Sequence, residues 1–212
     1  MIKPQVALTF DDGPSEHTAR ILDTLEKNQA RASFFVLGSK IDTGKNIIKR
    51  AHEMENEIIS HSWSHCKEPD LSGLCAEEIR KELINTREII LQTVGTCPDM
   101  FRPPYGAVSD TLKDVAEELG LAIILWSVDS WDWKSKDAGC IYNEIFSNIH
   151  DNAVILCHDV HATTADAMER VIPALTEKYE LVTVSELMKF SSVTPKARVI
   201  FPAGEIKYDN PA

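Results

Sequence analysis

The stretch "QVALTFDDGP" (5–14) opens with an apolar run and ends in two adjacent carboxylates followed by Gly13 and Pro14. The run "QVALTF" reads as a buried strand. Consecutive side chains of a strand point to opposite faces, so Asp11 and Asp12 can share one site only where the chain turns. Gly13-Pro14 supplies that turn. Two neighbouring carboxylates repel each other unless a cation stands between them. With a metal present, one can ligate it while the other stays free as a base for a metal-bound water. The competing reading of the same residues is a turn whose carboxylates cap a helix beginning near Ser15 or Glu16.

Working outward, similar strand-like runs recur at "RASFFVL", "EIIS", "DMFRP", "LAIILWS", "NAVILCH" and "ELVTV". Between them, apolar residues fall at helical spacing over 17–28, 43–55, 76–94, 109–119, 137–149 and 164–178. Ser109, the periodic Leu112, Val115, Ala116 and Leu119, and the stop at Gly120 mark one capped helix. Strands alternating with helices predict parallel βαβ units, and seven of them give either a doubly wound sheet or a barrel. The unusual polar residues follow the strands: Asp11 and Asp12 the first, His61 and His65 the third, Arg102 the fourth, Asp129 and Asp132 the fifth, His158 the sixth. In both architectures active sites are built at the carboxyl ends of strands, which points to an enzyme. Residues 1–190 are expected to form the catalytic domain. In the tail, 191–212, "VIFPAGEIKY" predicts a small hairpin or a segment wrapping the domain.

Composition narrows the function classes. The chain has 212 residues, 43% hydrophobic and 26% charged, with a net charge of −11. That suits one full-sized globular domain. A nucleic-acid binder needs a basic face, and no block of lysine or arginine exists. No stretch reaches the apolar length of a membrane helix. The N-terminus lacks the apolar region and cleavage site of a signal peptide, which leaves an intracellular protein or a mature or excised domain. The five cysteines, Cys66, Cys75, Cys97, Cys140 and Cys157, are odd in number and unpaired in pattern. No disulfide framework is expected, although Cys66 and Cys75 could close a short loop.

"HSWSH" (61–65) sets two imidazoles four residues apart, on one face of a helical turn or converging in a tight loop. Alone, it reads as two hydrogen-bonded histidines. With a carboxylate added, it becomes a three-ligand site with room for water, as in catalytic zinc or a site for non-haem iron or another divalent ion. In "RPPY" (102–105), Arg102 stays charged and holds carboxylates bidentately, so it can fix and ionise a base. In "DSWDW" (129–133) the two indoles can form walls. In "ILCHD" (155–159), alternation puts Leu156 and His158 on one face and Cys157 on the other, making His158 a general-acid candidate. His17, His52 and His150 are expected on the solvent side, and His161 is open to either reading.

These residues, in this order, resemble the NodB-homology polysaccharide deacetylases, carbohydrate esterase family four. The resemblance runs from about Val6 to Leu187 and covers five motifs: "TFDDGP", "HSWSH", "RPPY", "DSWDW" and "ILCH". It implies an α/β fold, a distorted (β/α) barrel with about seven parallel strands and the site at their carboxyl ends. It implies a divalent metal, zinc first and cobalt or another ion as alternatives, on Asp12, His61 and His65. Asp11 would be the base, held by Arg102, and His158 the acid, tuned by Asp132. Tyr105 would offer its backbone N–H to the oxyanion, and Trp133 and Leu156 would frame the pocket for the acetyl methyl. The sequence departs from the family pattern at "NEIISH", where glycine is expected rather than Asn56 or Glu57, and at Cys66, which could compete for metal or oxidise. The implied reaction is removal of acetyl groups from a polysaccharide, first the N-acetylglucosamine of peptidoglycan or chitin-type chains, then O-acetyl xylan. An iron(II) oxygenase using the two-histidine, one-carboxylate trio leaves Arg102 and His158 without a role, and the intact Asp11 and His158 argue against a non-catalytic carbohydrate-binding relative. The expected partner is an acetylated polysaccharide or oligosaccharide, with no nucleic acid and no membrane insertion. The protein is expected to be a monomer, extracellular or cell-wall associated.

Overall fold

The computed structural model describes residues 3–191 and 200–202. Among these described residues, nine strands form one sheet in which every pairing is parallel. They are β1 (Gln5–Asp11), β2 (Ser33–Val36), β3 (Glu57–Ser60), β4 (Met100–Phe101), β5 (Ala122–Ile124), β6 (Val128–Asp129), β7 (Val154–His158), β8 (Glu180–Leu181) and β9 (Ile200–Phe201). Their spatial order is β6-β7-β1-β2-β3-β4-β5-β9, with β8 added to β1. The order closes on neither side, so the sheet is a curled, incomplete barrel.

Each of the seven apolar runs contains a strand. Two short strands escape that pattern. β6 is only two residues long, separates from the fifth run at Trp126-Ser127, and carries Asp129 and the approach to Asp132. Asp129 therefore ends a strand of its own and Asp132 follows it, apart from the fifth run. β9 pairs with β5 through Ile123↔Ile200 and Ile124↔Phe201, so the tail returns to the sheet. The rest of the expected hairpin lies outside the described residues.

The helices are α1 (Thr18–Lys27), α2 (Gly38–Glu53), α3 (Ala76–Val94), α4 (Asp110–Glu118), α5 (Ala138–Asn148), α6 (Ala162–Lys178) and α7 (Val184–Phe190). Ser109 caps α4 by accepting from Leu112 N–H, and Gly120 takes the left-handed φ of 69° that ends it. α2 begins earlier than its apolar spacing predicts, because a non-helical Gly44 interrupts it and breaks the period. α7 is short, but its N-terminus carries a reciprocal cap between Thr183 and Glu186. The departure at Asn56 is accommodated structurally. Its side chain accepts from Ala32 N–H and donates to the Ala51 carbonyl, while Glu55 takes the left-handed turn.

Strand alternation divides the core. Val6, Leu8 and Phe10 of β1 face outward against the helices, with Ile155 and Cys157 of β7. Ala7, Phe35, Ile59 and Val154 face inward and meet Val184, Leu187 and Met188 of α7, which plugs the amino end of the barrel. Leu187 is fully buried and contributes roughly 1.5–3 kcal/mol on that account. The inward positions nearer the carboxyl end are polar: Thr9 and Asp11 on β1, then His158 on β7. The apolar plug fixes the barrel below and leaves the mouth for chemistry.

Candidate metal centre and active site

Arg102 is fully buried directly after β4. A buried cation is tolerated only when its hydrogen-bonding groups are satisfied. Its guanidinium donates to Asp11 Oδ1 at 2.6 Å, to Thr9 Oγ1 at 2.9 Å and to the Leu125 carbonyl at 3.0 Å, and it lies 3.9 Å over the Phe35 ring. Thr9 in turn donates to the Ile155 carbonyl. Asp11 is thereby fixed in position at the barrel mouth.

Asp12 takes a left-handed φ of 74°, which turns its carboxylate away from the strand toward the histidines. Asp12 Oδ1 lies 3.4 Å from His61 Nε2 and 3.2 Å from His65 Nε2, and it is buried without a hydrogen-bond donor. His61 Nδ1 stands 2.8 Å from the Arg102 carbonyl. A carbonyl only accepts, so Nδ1 carries the proton and Nε2 presents its lone pair to the site. A lone pair of His61 facing a buried oxygen that receives no hydrogen bond fits a cation better than any protein donor. Asp12, His61 and His65 are the trio among the described residues whose ligand atoms lie within 4.8 Å of one another.

The two histidines converge through a tight loop, not a helical turn. Ser62 and His65 are left-handed, and Glu82 of α3 accepts from Trp63 N–H, Ser64 N–H and the Ser64 hydroxyl. Five of the eight non-glycine residues in the left-handed region among those described, Asp12, Ser62, His65, Tyr105 and Trp131, sit in the loops around this site. Backbone strain of that kind persists where surrounding structure over-determines it. Cys66 stays outside the ligand trio, and burial, with the charge of Glu82, pushes its thiol up. All five cysteines are free, so Cys66 and Cys75 close no loop.

β7 pairs with β1 in a register that sets His158 beside Asp11. His158 Nδ1 is 2.7 Å from Asp132 Oδ1, while Asp132 Oδ2 accepts from the His158 N–H and from the Thr164 hydroxyl. Burial alone would lower His158, but Asp132, with Asp11 and Asp12, carries it up to about 9. The ring therefore holds its proton at neutral pH. Leu156 is buried two residues earlier on the same face. β6 pairs Asp129 with Leu156, so the loop bearing the exposed Trp133 leaves the sheet beside it. Tyr105 is half-exposed at the opposite rim, its ring edge-on to His65 at 4.7 Å.

All ten site positions expected from sequence thus border one mouth. Neither Asp11 nor Asp12 caps α1: Ser15 and Thr18 make the local hydrogen bonds there. Sequence reasoning missed Thr9, Glu82, Thr164 and the buried Asp159. Thr9 was accessible by alternation, two residues before Asp11. The others belong to helices or to the far side of the turn, where no periodicity marks them.

The polysaccharide deacetylase family pattern matches residues 1–124. The peptidoglycan-N-acetylglucosamine deacetylase PgdA of Listeria monocytogenes is 41% identical over 185 residues, covering 86% of this chain and 38% of that protein; the chain thus spans well under half of that relative's length. The solved structure of peptidoglycan deacetylase PdaC from Bacillus subtilis superposes with a TM-score of 0.83 at 38% identity, covering 90% of this chain and 92% of that one. A family 4 acetyl xylan esterase from Clostridium thermocellum, in complex with a cobalt ion, gives 0.85 at 33% identity, covering 94% and 100%. With five motifs converging on one barrel mouth and the family pattern matching more than half of its length, this chain belongs to the polysaccharide deacetylase family.

Proposed function

We propose that this protein is a metal-dependent hydrolase that removes acetyl groups from an acetylated polysaccharide, first of all the N-acetylglucosamine of peptidoglycan or chitin-type chains. The observation that carries the reading is the pairing of a fixed carboxylate, Asp11, with a protonated imidazole, His158, in register beside the Asp12–His61–His65 trio. A carboxylate fixed by Arg102 beside an imidazole that holds its proton is the arrangement of an acid–base pair. The closeness to named peptidoglycan deacetylases supports the amide substrate. The similarity to an acetyl xylan esterase supports a second reading, ester cleavage by the same residues.

Asp12, His61 and His65 would hold the divalent ion, for which zinc is our assignment given its nitrogen and carboxylate donors. When bound, that ion supplies a polarised water and a Lewis acid for the acetyl carbonyl. Asp11, oriented by Arg102, accepts the proton of the attacking water. The Tyr105 N–H donates to the developing oxyanion. His158 delivers its proton to the departing nitrogen or oxygen, and Asp132 stabilises the imidazolium. Trp133 and Leu156 exclude water from around the methyl group. We further assign the protein to the cell wall or the exterior, where a peptidoglycan or chitin-type substrate would lie, and assign it a monomeric state.

Acetate release from peptidoglycan, chitooligosaccharide and acetylated xylan, before and after chelation, tests the assignment. Release should stop with chelator, return with zinc or cobalt, and be fastest on an N-acetylated substrate. Full activity in protein shown to be metal-free by elemental analysis would refute it.

The pH dependence follows from His158. Its proton is held while the pH stays below about 9, so the alkaline limb of turnover marks its loss. A cation on Asp12 offsets that carboxylate's share, leaving Asp132 as the main support. Asp132→Asn should move the alkaline limb to lower pH. The stability contribution has the same sign: a raised imidazole stabilises the fold below its ordinary pKa of about 6.5 and ceases to as the pH rises through about 9. The variant should therefore lose stability at neutral pH and little at pH 10. An unshifted limb would remove Asp132 from this role.

A further inference from the structure

Asp159 follows His158 and is 1% exposed, yet the chemistry above makes no use of it. Its surroundings belong to the metal-bearing turn. The Thr18 hydroxyl accepts from Ser15 N–H and therefore directs its own proton to Asp159 Oδ2. The Ser15 hydroxyl accepts from His17 N–H and donates to the Asp159 carbonyl. The Asp159 N–H donates to the Asp11 carbonyl at 3.3 Å. The carboxyl also lies flat against Gly13: a Cβ there would stand 2.2 Å from Asp159 Oδ2 and 2.4 Å from Oδ1. The glycine of the "DDGP" turn is thus required by a neighbour from another strand.

We propose that Asp159 is a positioning residue that locks the Asp11–Asp12–Gly13–Pro14 turn to the end of the strand bearing His158, and so fixes the metal ligand and the base relative to the acid. The inference rests on the metal-centre reading above. Asp12 must hold a strained left-handed conformation to aim at His61 and His65, and Asp159 fills the space into which the turn would otherwise relax.

The test measures zinc affinity by competition with a chromophoric chelator, together with kcat, KM and melting temperature. Partners that orient metal ligands typically account for about 10–100-fold in affinity. Asp159→Ala should weaken zinc by a factor in that range and lower kcat with KM little changed. Asp159→Asn, which keeps the shape and the acceptor for Thr18, should recover most of the loss. Thr18→Val, milder for the fold, should shift zinc affinity in the same direction. Gly13→Ala should damage zinc binding severely in the native background and add little to Asp159→Ala, because the clash is gone; contacting residues couple in this way. Native zinc affinity in Asp159→Ala, equal losses in Asp159→Ala and Asp159→Asn, or independent effects of Gly13→Ala and Asp159→Ala would overturn the proposal. A native protein that takes up no zinc would instead refute the metal-centre reading. The Gly13–Asp159 coupling in melting temperature, which needs no metal, would still decide whether the turn is locked as described.

Discussion

Asp12→Asn should yield a folded protein that has lost its metal, while Asp11→Asn should keep the metal and lose the reaction. The two side chains are neighbours in sequence, but their surroundings differ. Asp12 faces the Nε2 atoms of His61 and His65, so replacing its anionic oxygen removes the carboxylate that a dication would find among those three residues. Zinc affinity should fall by at least roughly the 10–100-fold typical of losing a mere supporting contact. Asp11 is paired with Arg102 at 2.6 Å, so its substitution leaves the trio intact and removes the base. Turnover should drop by about 10²–10⁴-fold, the usual worth of positioned proton transfer. The stability effects should also separate. Unpairing a buried cation costs about 3–5 kcal/mol; Asn keeps an acceptor near Arg102 and recovers part of that, so Asp11→Asn should lower the melting temperature measurably. Asp12→Asn leaves no buried cation unpaired, and the metal-free variant should melt close to the metal-free native protein. Zinc stoichiometry, melting temperature and acetate release on the two variants are the deciding measurements. If both bind zinc normally and turn over at the native rate, the acid–base and metal roles drawn from this turn are wrong.

The legible part of this molecule is what strand alternation and turn chemistry dictate. Leu156 and His158 share the inward face as their spacing requires, and Ser109 and Gly120 bound α4. Asp11, Asp12, His61, His65, Arg102, Asp132 and His158 gather at one mouth because each ends or follows a strand and all the strands are parallel. What escaped is structure without a period. β6 and β9 are two residues each, too short to alternate, and they exist because a neighbouring strand offers an unpaired edge. α7 is too short for an amphipathic pattern and is held by its cap and by the open end of the barrel. Glu82, Thr164 and Asp159 act on loops contributed by distant segments, and only the folded register brings them there. The geometry of "HSWSH" was likewise open in the sequence, since a helical turn and a strained loop both converge its imidazoles. The left-handed Ser62 and His65 settle it.

His158→Ala should remove most of the turnover on an acetamide and far less on an activated ester, with metal content unchanged. The variant is expected to fold, because Asp132 keeps two of its donors: the backbone N–H of residue 158, at 2.7 Å, belongs to the main chain and survives the substitution, and so does the Thr164 hydroxyl. His158 is not among the three metal-facing residues, so zinc stoichiometry should match the native protein. What disappears is the imidazolium that Asp132 maintains. An amine leaving group departs poorly as an anion and needs that proton, so the loss on N-acetylated sugar should lie near the 10²–10⁴-fold span of general acid catalysis. An aryl acetate expels a phenolate that needs no proton, so on it the variant should retain most of the native rate. Because the same effect acts on leaving-group departure and not on ground-state binding, kcat and kcat/KM on the amide should fall together. The alkaline limb assigned to this residue should vanish with it, leaving only titrations of other groups. Equal losses on amide and aryl ester would place His158 in substrate binding or water activation, and a loss of zinc would place it in the metal site. Either result would move the proton donor elsewhere in the mouth, with His161, whose ring lies 6.1 Å from that of His158, the next imidazole to test.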